Sequence, residues 1–425
     1  MTWTNAAVWV ASGVRTPFAR VDGALRSLDA VELSVPVAQA MAAQLPGGVR
    51  PGLMVWGTVA PNLGWSNIAR EVLIQARLDP ATPAFSTVLA CSTSMAAVFE
   101  AAGMLGNGID VALCGGVESM SRVQLGLKQG LSDFIRRFSQ ARSLGERIDR
   151  LGELRWKDVR LHVPSVANRA TGKSMGEHCE EMAKQWNIAR SDQDRVALHS
   201  HQRAVNAMAG GFFDDLVVAV GGNARDGIPR ADTSAEKLAT LKPAFDRASG
   251  KGTITAGNAS PLSDGAAAVW VANDAGLAKL PANRPRARLV DYELAAVDVF
   301  KEGLLMAPAY AIPRLLARNG LTLESIDLWE IHEAFAAQVL CNVAAIENPE
   351  FLRDKAGVGA SLGKFPWERM NPNGGSVAIG HPFGATGARI LSQAVKELAA
   401  MGVGKRAVVS ICADGGLGTV ALLQA

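Results

Sequence analysis

Cys91 stands in "STVLACSTSMAA" (86–97), between a run that reads as a buried strand and one spaced as an amphipathic helix. A free cysteine commonly packs as a small hydrophobe. Its place at a helix start argues instead for a nucleophile, because unpaired backbone amides and the positive end of the helix dipole there lower a thiol's pKa. Four more stretches complete a set. "NPNGGSVAIGHPFGATGARI" holds His381 ahead of Pro382, among glycines that let backbone approach a ligand closely. That density of glycines favours a catalytic histidine over a core one. In "VVSICADGGLGT", Cys412 ends a strand-like run before a glycine turn, where a second thiol can reach a bound substrate. "WEIHEAFAAQ" puts His332 and Glu333 between a strand and a helix, and "TITAGNASPLSDGAAAVWV" holds Asn258 in a loop of small residues suited to touching a ligand.

Elements of an α/β fold must position these groups. The runs "AAVWVASG", "LMVWGTV", "FSTVLA", "VALCGG", "AAAVWVA", "IDLWEIH", "AVVSICA" and "TVALLQ" read as strands, with helix-like segments between many of them. The stretch from Cys91 to "CGGVES" and the stretch from "GHPFGATGARI" to "CADGGLG" follow one grammar: reactive residue in a loop, helix, glycine-containing turn, strand. This implies two related halves facing each other.

The chain has 425 residues, 48% hydrophobic and 20% charged, which bounds it as globular with several cores. A net charge of +3 excludes a strongly cationic nucleic-acid binder and allows a local basic patch. The five cysteines, Cys91, Cys114, Cys179, Cys341 and Cys412, are scattered and never form a C-x-x-C pair. Neither a disulfide framework nor a zinc site is expected, no metal is assigned, and a reduced cytoplasm is the expected location. The start has neither a basic n-region nor a long apolar run, so secretion and membrane spanning are not expected. Residues 122–174 break the pattern, with twelve Lys or Arg against five Asp or Glu. Leu131, Phe134, Ile135 and Phe138 share one helical face there among arginines. Such a basic amphipathic helix is either a solvated cap on the site or a contact for an anionic membrane surface, a partner subunit or an acidic ligand.

Taken together, the pieces "LACSTSMAA", "CGGVESMS", "KSMGEHCEEMAKQWNIARSDQDRVALHSHQRA", "LKPAFD", "TAGNASPLSDGAAAV", "HEAFAAQ", "GGSVAIGHPFGATGARI" and "CADGGLG" give the chain a resemblance to the thiolase family, in the family's order and over most of its length outside the basic segment. The resemblance implies two similar βαβαβ-type halves whose sheets sandwich helices, plus an inserted loop domain. The first half would span 1–121, completed by about 245–290, the loop domain 122–244, and the second half 291–425. It implies CoA-dependent cleavage of a 3-ketoacyl-CoA to acetyl-CoA and a shortened acyl-CoA, as in fatty-acid β-oxidation. Cys91 would be the nucleophile that carries the acyl group, His381 its base, and Cys412 the acid that protonates the acetyl-CoA enolate. One oxyanion hole would use His381 and a water held by His332; the other would use the backbone amides of Cys91 and Asp414. Met175, Arg230, Ala256, Ser260 and Phe335 match residues lining the CoA and pantetheine tunnel. Coenzyme A would be a co-substrate, with no permanently bound cofactor. A homodimer or homotetramer is implied, and no nucleic acid.

Two departures stand out. Many thiolases carry asparagine where this chain has His332; histidine there, with Phe383 and Thr386, resembles the HEAF-type branch that includes the trifunctional-complex β-subunit. That branch makes a hydratase/dehydrogenase α-subunit a candidate partner, and a charge on His332 would tune the pH profile. Asp414 stands where a small residue is expected, and its carboxylate disfavours a developing oxyanion unless it turns away or finds a partner. Two alternatives follow: a biosynthetic enzyme forming acetoacetyl-CoA with the same residues, and a non-catalytic acyl-CoA binding or scaffold protein spoiled by Asp414. A ketoacyl synthase, which shares the fold, is disfavoured by Cys412.

Overall fold

The computed structural model describes residues 7–162, 164 and 167–425. Residues 1–6 of the expected first half and 163, 165 and 166 of the basic segment therefore lie outside the described residues. The strands are β1 (Trp9–Ala11), β2 (Ala19–Arg20), β3 (Leu53–Gly57), β4 (Ala84–Ser86), β5 (Val111–Ser119), β6 (Gly126–Leu127), β7 (Leu161–His162), β8 (Ser263–Ala272), β9 (Arg286–Ala296), β10 (Leu328–Ile331), β11 (Arg406–Ala413) and β12 (Leu417–Gln424). Each of the eight strand-like runs of the sequence overlaps one of them. β9 was not foreseen, because its residues alternate between buried and exposed and include four charges, so no apolar run marks it.

One hydrogen-bonded path, β10-β11-β12-β9-β1-β8-β5-β3-β4, joins the strands of both halves, with β2 beside β8. The halves meet where β1 pairs antiparallel with β8 on one side and β9 on the other. β6 and β7 form a separate ribbon in the basic segment.

Three cores show how the layers stack. Met54, Trp56, Leu113 and Trp270 of the first half pack with Leu33, Val37 and Met41 of the helix Ala30–Ala42, which Asp29 starts with a capping box closed by Glu32. On the opposite strand faces, Val55, Cys114 and Val269 join Val409, Ile411 and Leu423 of the second half around the helices Thr93–Met104 and Thr386–Met401. Val408, Cys412 and Val420 face away from that centre toward the helices Ala307–Arg318 and Ala336–Ile346. The period of two along β11 thus sends Ile411 to the central core and Cys412 to the outer one.

Thr93–Met104 and Thr386–Met401 are the two halves' equivalent helices, each preceded by a 3₁₀ turn and followed by a strand. The spacing after Cys91 read as amphipathic, yet the first helix is buried on nearly every side, as a helix between two layers of strands must be. Ser94 Oγ accepts from Ala388 N–H at 2.8 Å where the helices cross. A Cβ on Gly387 would strike the Met95 backbone there.

Candidate active site

Cys91 lies in the turn Ala90–Ser92 between β4 and its helix. Ala90 holds φ +45°, a left-handed conformation unfavourable for a side chain with Cβ, so the backbone just before the thiol is strained. Thr93 fastens that turn: its Oγ1 accepts from Leu89 N–H at 2.9 Å and donates to Ala90 O at 2.8 Å. The helix start was expected to lower the Cys91 pKa; instead burial, joined by the charge of Asp414, pushes it up to about 12. The backbone amides of Cys91 and Asp414 reach the sulfur and pull the other way, without reversing the sum. The resting nucleophile is therefore a neutral thiol whose proton must leave as it attacks.

His381 and His332 supply the groups that could take it. Their ring centroids are 4.1 Å apart, and Cys91 Sγ and one ring nitrogen from each lie within 4.8 Å of one another. The parallel pair β10–β11 delivers His332 at its C-terminal end, with His332 N–H on Ser410 O at 2.8 Å. His381 is held by its N–H on Ser263 Oγ at 3.1 Å and by Nδ1 on Thr386 Oγ1 at 2.7 Å. Thr386 donates its hydroxyl proton to Pro382 O at 2.9 Å, so it accepts from His381 Nδ1–H and leaves His381 Nε2 as a bare base. Among the described residues the Nε2 atoms of both histidines are buried without a partner. Burial, then the Arg389 guanidinium, holds the His381 pKa down at about 3. Burial, then His381 and Arg389, holds His332 well below the ordinary histidine value. The charge expected on His332 is thus corrected: burial foremost, with Arg389 adding to it, keeps both rings neutral at physiological pH.

Cys412, at the end of β11, is buried, and desolvation followed by the neighbouring Cys91 raises its pKa well above that of a free thiol. It is protonated at rest, as an acid must be. The Asp414 carboxylate, expected to disturb the oxyanion hole, has found partners: Oδ1 accepts from Asn168 Nδ2 at 2.8 Å and from Gly415 N–H at 2.6 Å. These bonds engage the carboxylate while the Asp414 amide still faces the sulfur. The Cys91, His332 and His381 donor set is also one that could hold a metal ion.

The family model for the thiolase N-terminal domain matches residues 8–275, and that for the thiolase C-terminal domain matches 283–425. The chain belongs to the thiolase family. A Yersinia enterocolitica protein named 3-ketoacyl-CoA thiolase is 36% identical over 98% of this chain and 96% of its own. The Bacillus anthracis acetyl-CoA acetyltransferase structure superposes with TM-score 0.79 at 31% identity, over 99% of this chain and 100% of that one. The human mitochondrial 3-ketoacyl-CoA thiolase structure gives TM-score 0.79 at 28% identity, over 99% of both chains.

In this thiolase three of the five residues matched to the CoA tunnel share one wall. Ser260 N–H and Oγ both donate to Ala334 O at 2.9 Å, seating Ser260 beside Phe335. Phe335 meets Phe245 edge to face at 5.9 Å, and Gly176 next to Met175 leaves room for the Phe245 ring. Phe245 was missed as a site residue although "LKPAFD" contains it. Ala256 is exposed on a turn. Arg230 is exposed and held by its backbone N–H on His201 Nδ1 at 3.2 Å, two residues after Ile228, which abuts Gly380. Asn258, read as a ligand contact, is fully buried and structural, donating to Asp194 Oδ1 at 2.9 Å and Thr253 O at 3.2 Å. Glu333 is likewise turned inward, accepting from Ser200, Asn371 and Val377. Thr386, Ser376, Arg389 and Asn168 reach the site through other side chains, and a single sequence carries no signal of such indirect support.

Proposed function

We propose that this thiolase cleaves 3-ketoacyl-CoA thioesters with free CoA, releasing acetyl-CoA and an acyl-CoA shortened by two carbons. The observation that carries this reading is the meeting of Cys91 Sγ with ring nitrogens of His381 and His332, at the end of the strand that bears Cys412. His381 Nε2 takes the Cys91 proton as sulfur attacks the keto carbon, since neither group ionises at rest. The carbon–carbon bond then breaks, the acyl group stays on Cys91, and Cys412 protonates the acetyl-CoA enolate. CoA thiol finally takes the acyl group from Cys91. The amides of Cys91 and Asp414 stabilise one oxyanion, and His381, once it has taken the thiol proton, together with His332 stabilises the other, each donor worth roughly 10²–10³ in rate.

The whole-chain relative named for 3-ketoacyl-CoA favours degradation over acetoacetyl-CoA synthesis, and the bonded Asp414 argues against a non-catalytic scaffold. The same reading places the enzyme in β-oxidation, as a cytoplasmic homodimer or homotetramer, with five free cysteines suited to a reducing compartment. The wall of Met175, Phe245, Ser260 and Phe335 would guide pantetheine, with Arg230 and Ala256 nearer solvent.

Residues 122–162 form the second part of the proposal, a contact for an anionic membrane surface. Helices Gln129–Gln140 and Leu144–Leu151 expose Ile135, Leu144, Ile148 and Leu151 between arginines, which fits a helix lying in a lipid interface. A hydratase/dehydrogenase subunit is the alternative occupant. Thiolysis of acetoacetyl-CoA and of medium- and long-chain 3-ketoacyl-CoA, followed by loss of the ketoacyl absorbance, tests the activity. CoA-dependent decay is expected, and its absence with every chain length overturns the reading.

A further inference from the structure

Two like rings beside one thiol raise a question of roles: which of them donates a hydrogen bond and which accepts a proton. Ser376 answers it for His332. Ser376 Oγ has two neighbours among the described residues, Arg389 Nη2 at 2.6 Å and His332 Nδ1 at 2.8 Å. A guanidinium can only donate, so Oγ accepts from Arg389. The hydroxyl proton then has His332 Nδ1 as its acceptor, and a neutral imidazole that accepts at Nδ1 carries its proton on Nε2. At His381 the order is reversed, because Thr386 gives its proton to Pro382 O and accepts from Nδ1–H.

We propose that Arg389 and Ser376 are positioning residues that hold His332 as an Nε2–H donor toward the substrate oxygen, while His381 beside it keeps a bare Nε2 as base. The inference rests on the thiolase reading for its catalytic meaning, though not for its geometry. Burial supports the assignment: Arg389 is 3% exposed, Ser376 and His332 are fully buried, and among the described residues His332 Nε2 has no partner to reset the ring. Burial lowers the Arg389 pKa to about 10, Glu330, Glu333 and Asp226 oppose that and Arg15 adds to it, so the guanidinium stays charged and reinforces the burial that keeps both rings neutral. A neutral ring is the only kind in which the choice of tautomer matters. The same choice leaves the cluster of Cys91, His332 and His381 one lone pair short as a metal site.

The decisive experiment is nitrogen-15 NMR of the resting protein labelled at its six histidines, with His332 and His381 identified by their loss in His332→Gln and His381→Gln. The expected spectrum has His332 protonated on Nε2 and His381 on Nδ1. His332 protonated on Nδ1 overturns the proposal. This measurement needs no turnover, so it stands or falls separately from the assigned activity. As a second arm, Ser376→Ala should lower kcat by about 10²-fold, the loss of one aligned oxyanion donor, with KM changed less than about threefold. Folded Ser376→Ala with wild-type kcat also overturns the proposal.

Discussion

A thiol held up to about 12 beside an imidazole held down at about 3 cannot exist as a resting ion pair, which sets the pH behaviour of the site. A histidine whose pKa is lowered stays unprotonated as pH falls through 6.5, so it remains competent as a base there. The profile of kcat/KM against pH should therefore lack an acid limb near 6.5 and stay flat from about pH 7.5 to 5.5. A roughly tenfold total loss between pH 7.5 and 5.5, steepening below 6.5, would mean that His381 titrates normally. At this scale the sequence was legible for the grouping of Cys91, His381, His332 and Cys412, whose types announce chemistry in loops or, for Cys412, near the end of a strand. It was illegible for protonation, because both rings are kept neutral first by burial, which spacing does not disclose, and then by Arg389, which the sequence displays as one more residue of a glycine-rich motif.

The elements carry the site by pressing two helices of opposite halves against each other. Gly384 packs on the backbone of Gly57 and Val117, and Glu118 at the end of β5 accepts from Gly384 N–H at 3.2 Å and from Thr58, Val59 and Ala60. Burial raises the Glu118 pKa against these bonds, so this carboxylate ties the His381 loop to the first half at some cost in desolvation. Gly387 faces the Met95 backbone at the helix crossing, where a Cβ can fit only if one helix moves. Gly387→Ala should destabilise the fold by about 1–3 kcal/mol through overpacking, read by urea denaturation, and lower kcat by moving Thr386 and His381. Wild-type stability would show that the helices slide freely. The internal echo between the two cysteine-ended stretches disclosed these paired helices. It did not disclose β9, whose polar alternation hides the strand that joins β12 to β1.

The whole molecule combines a layered α/β body with a basic attachment at 122–162 that has its own two-stranded ribbon and helices with no buried side chain. Phe134 and Phe138 meet at 5.8 Å and are half-buried with Leu131, while Ile135 is 47% exposed, so the expected apolar face divides and leaves Ile135 outward. Arg136, Arg137 and Arg150 are partly matched by Asp133 and Glu153 in solvent-exposed pairs that contribute little to stability. Reversing Arg142, Arg147 and Arg155 to glutamate should weaken sedimentation with vesicles rich in anionic lipid at least tenfold. Thiolysis of soluble substrates should be unchanged. Equal sedimentation of both proteins would remove the lipid surface as a partner. Composition revealed this segment's charge, whereas the division of its apolar residues depends on packing between helices that spacing alone does not fix.

Thiolysis through this site requires an acyl group carried by Cys91, and the most direct measurement is peptide mass spectrometry of the protein mixed with a 3-ketoacyl-CoA and quenched. The prediction is a mass increase equal to the shortened acyl group on the Cys91 peptide, discharged when CoA is added. An unmodified Cys91 peptide during CoA-dependent turnover, or acylation at another residue instead, would contradict it.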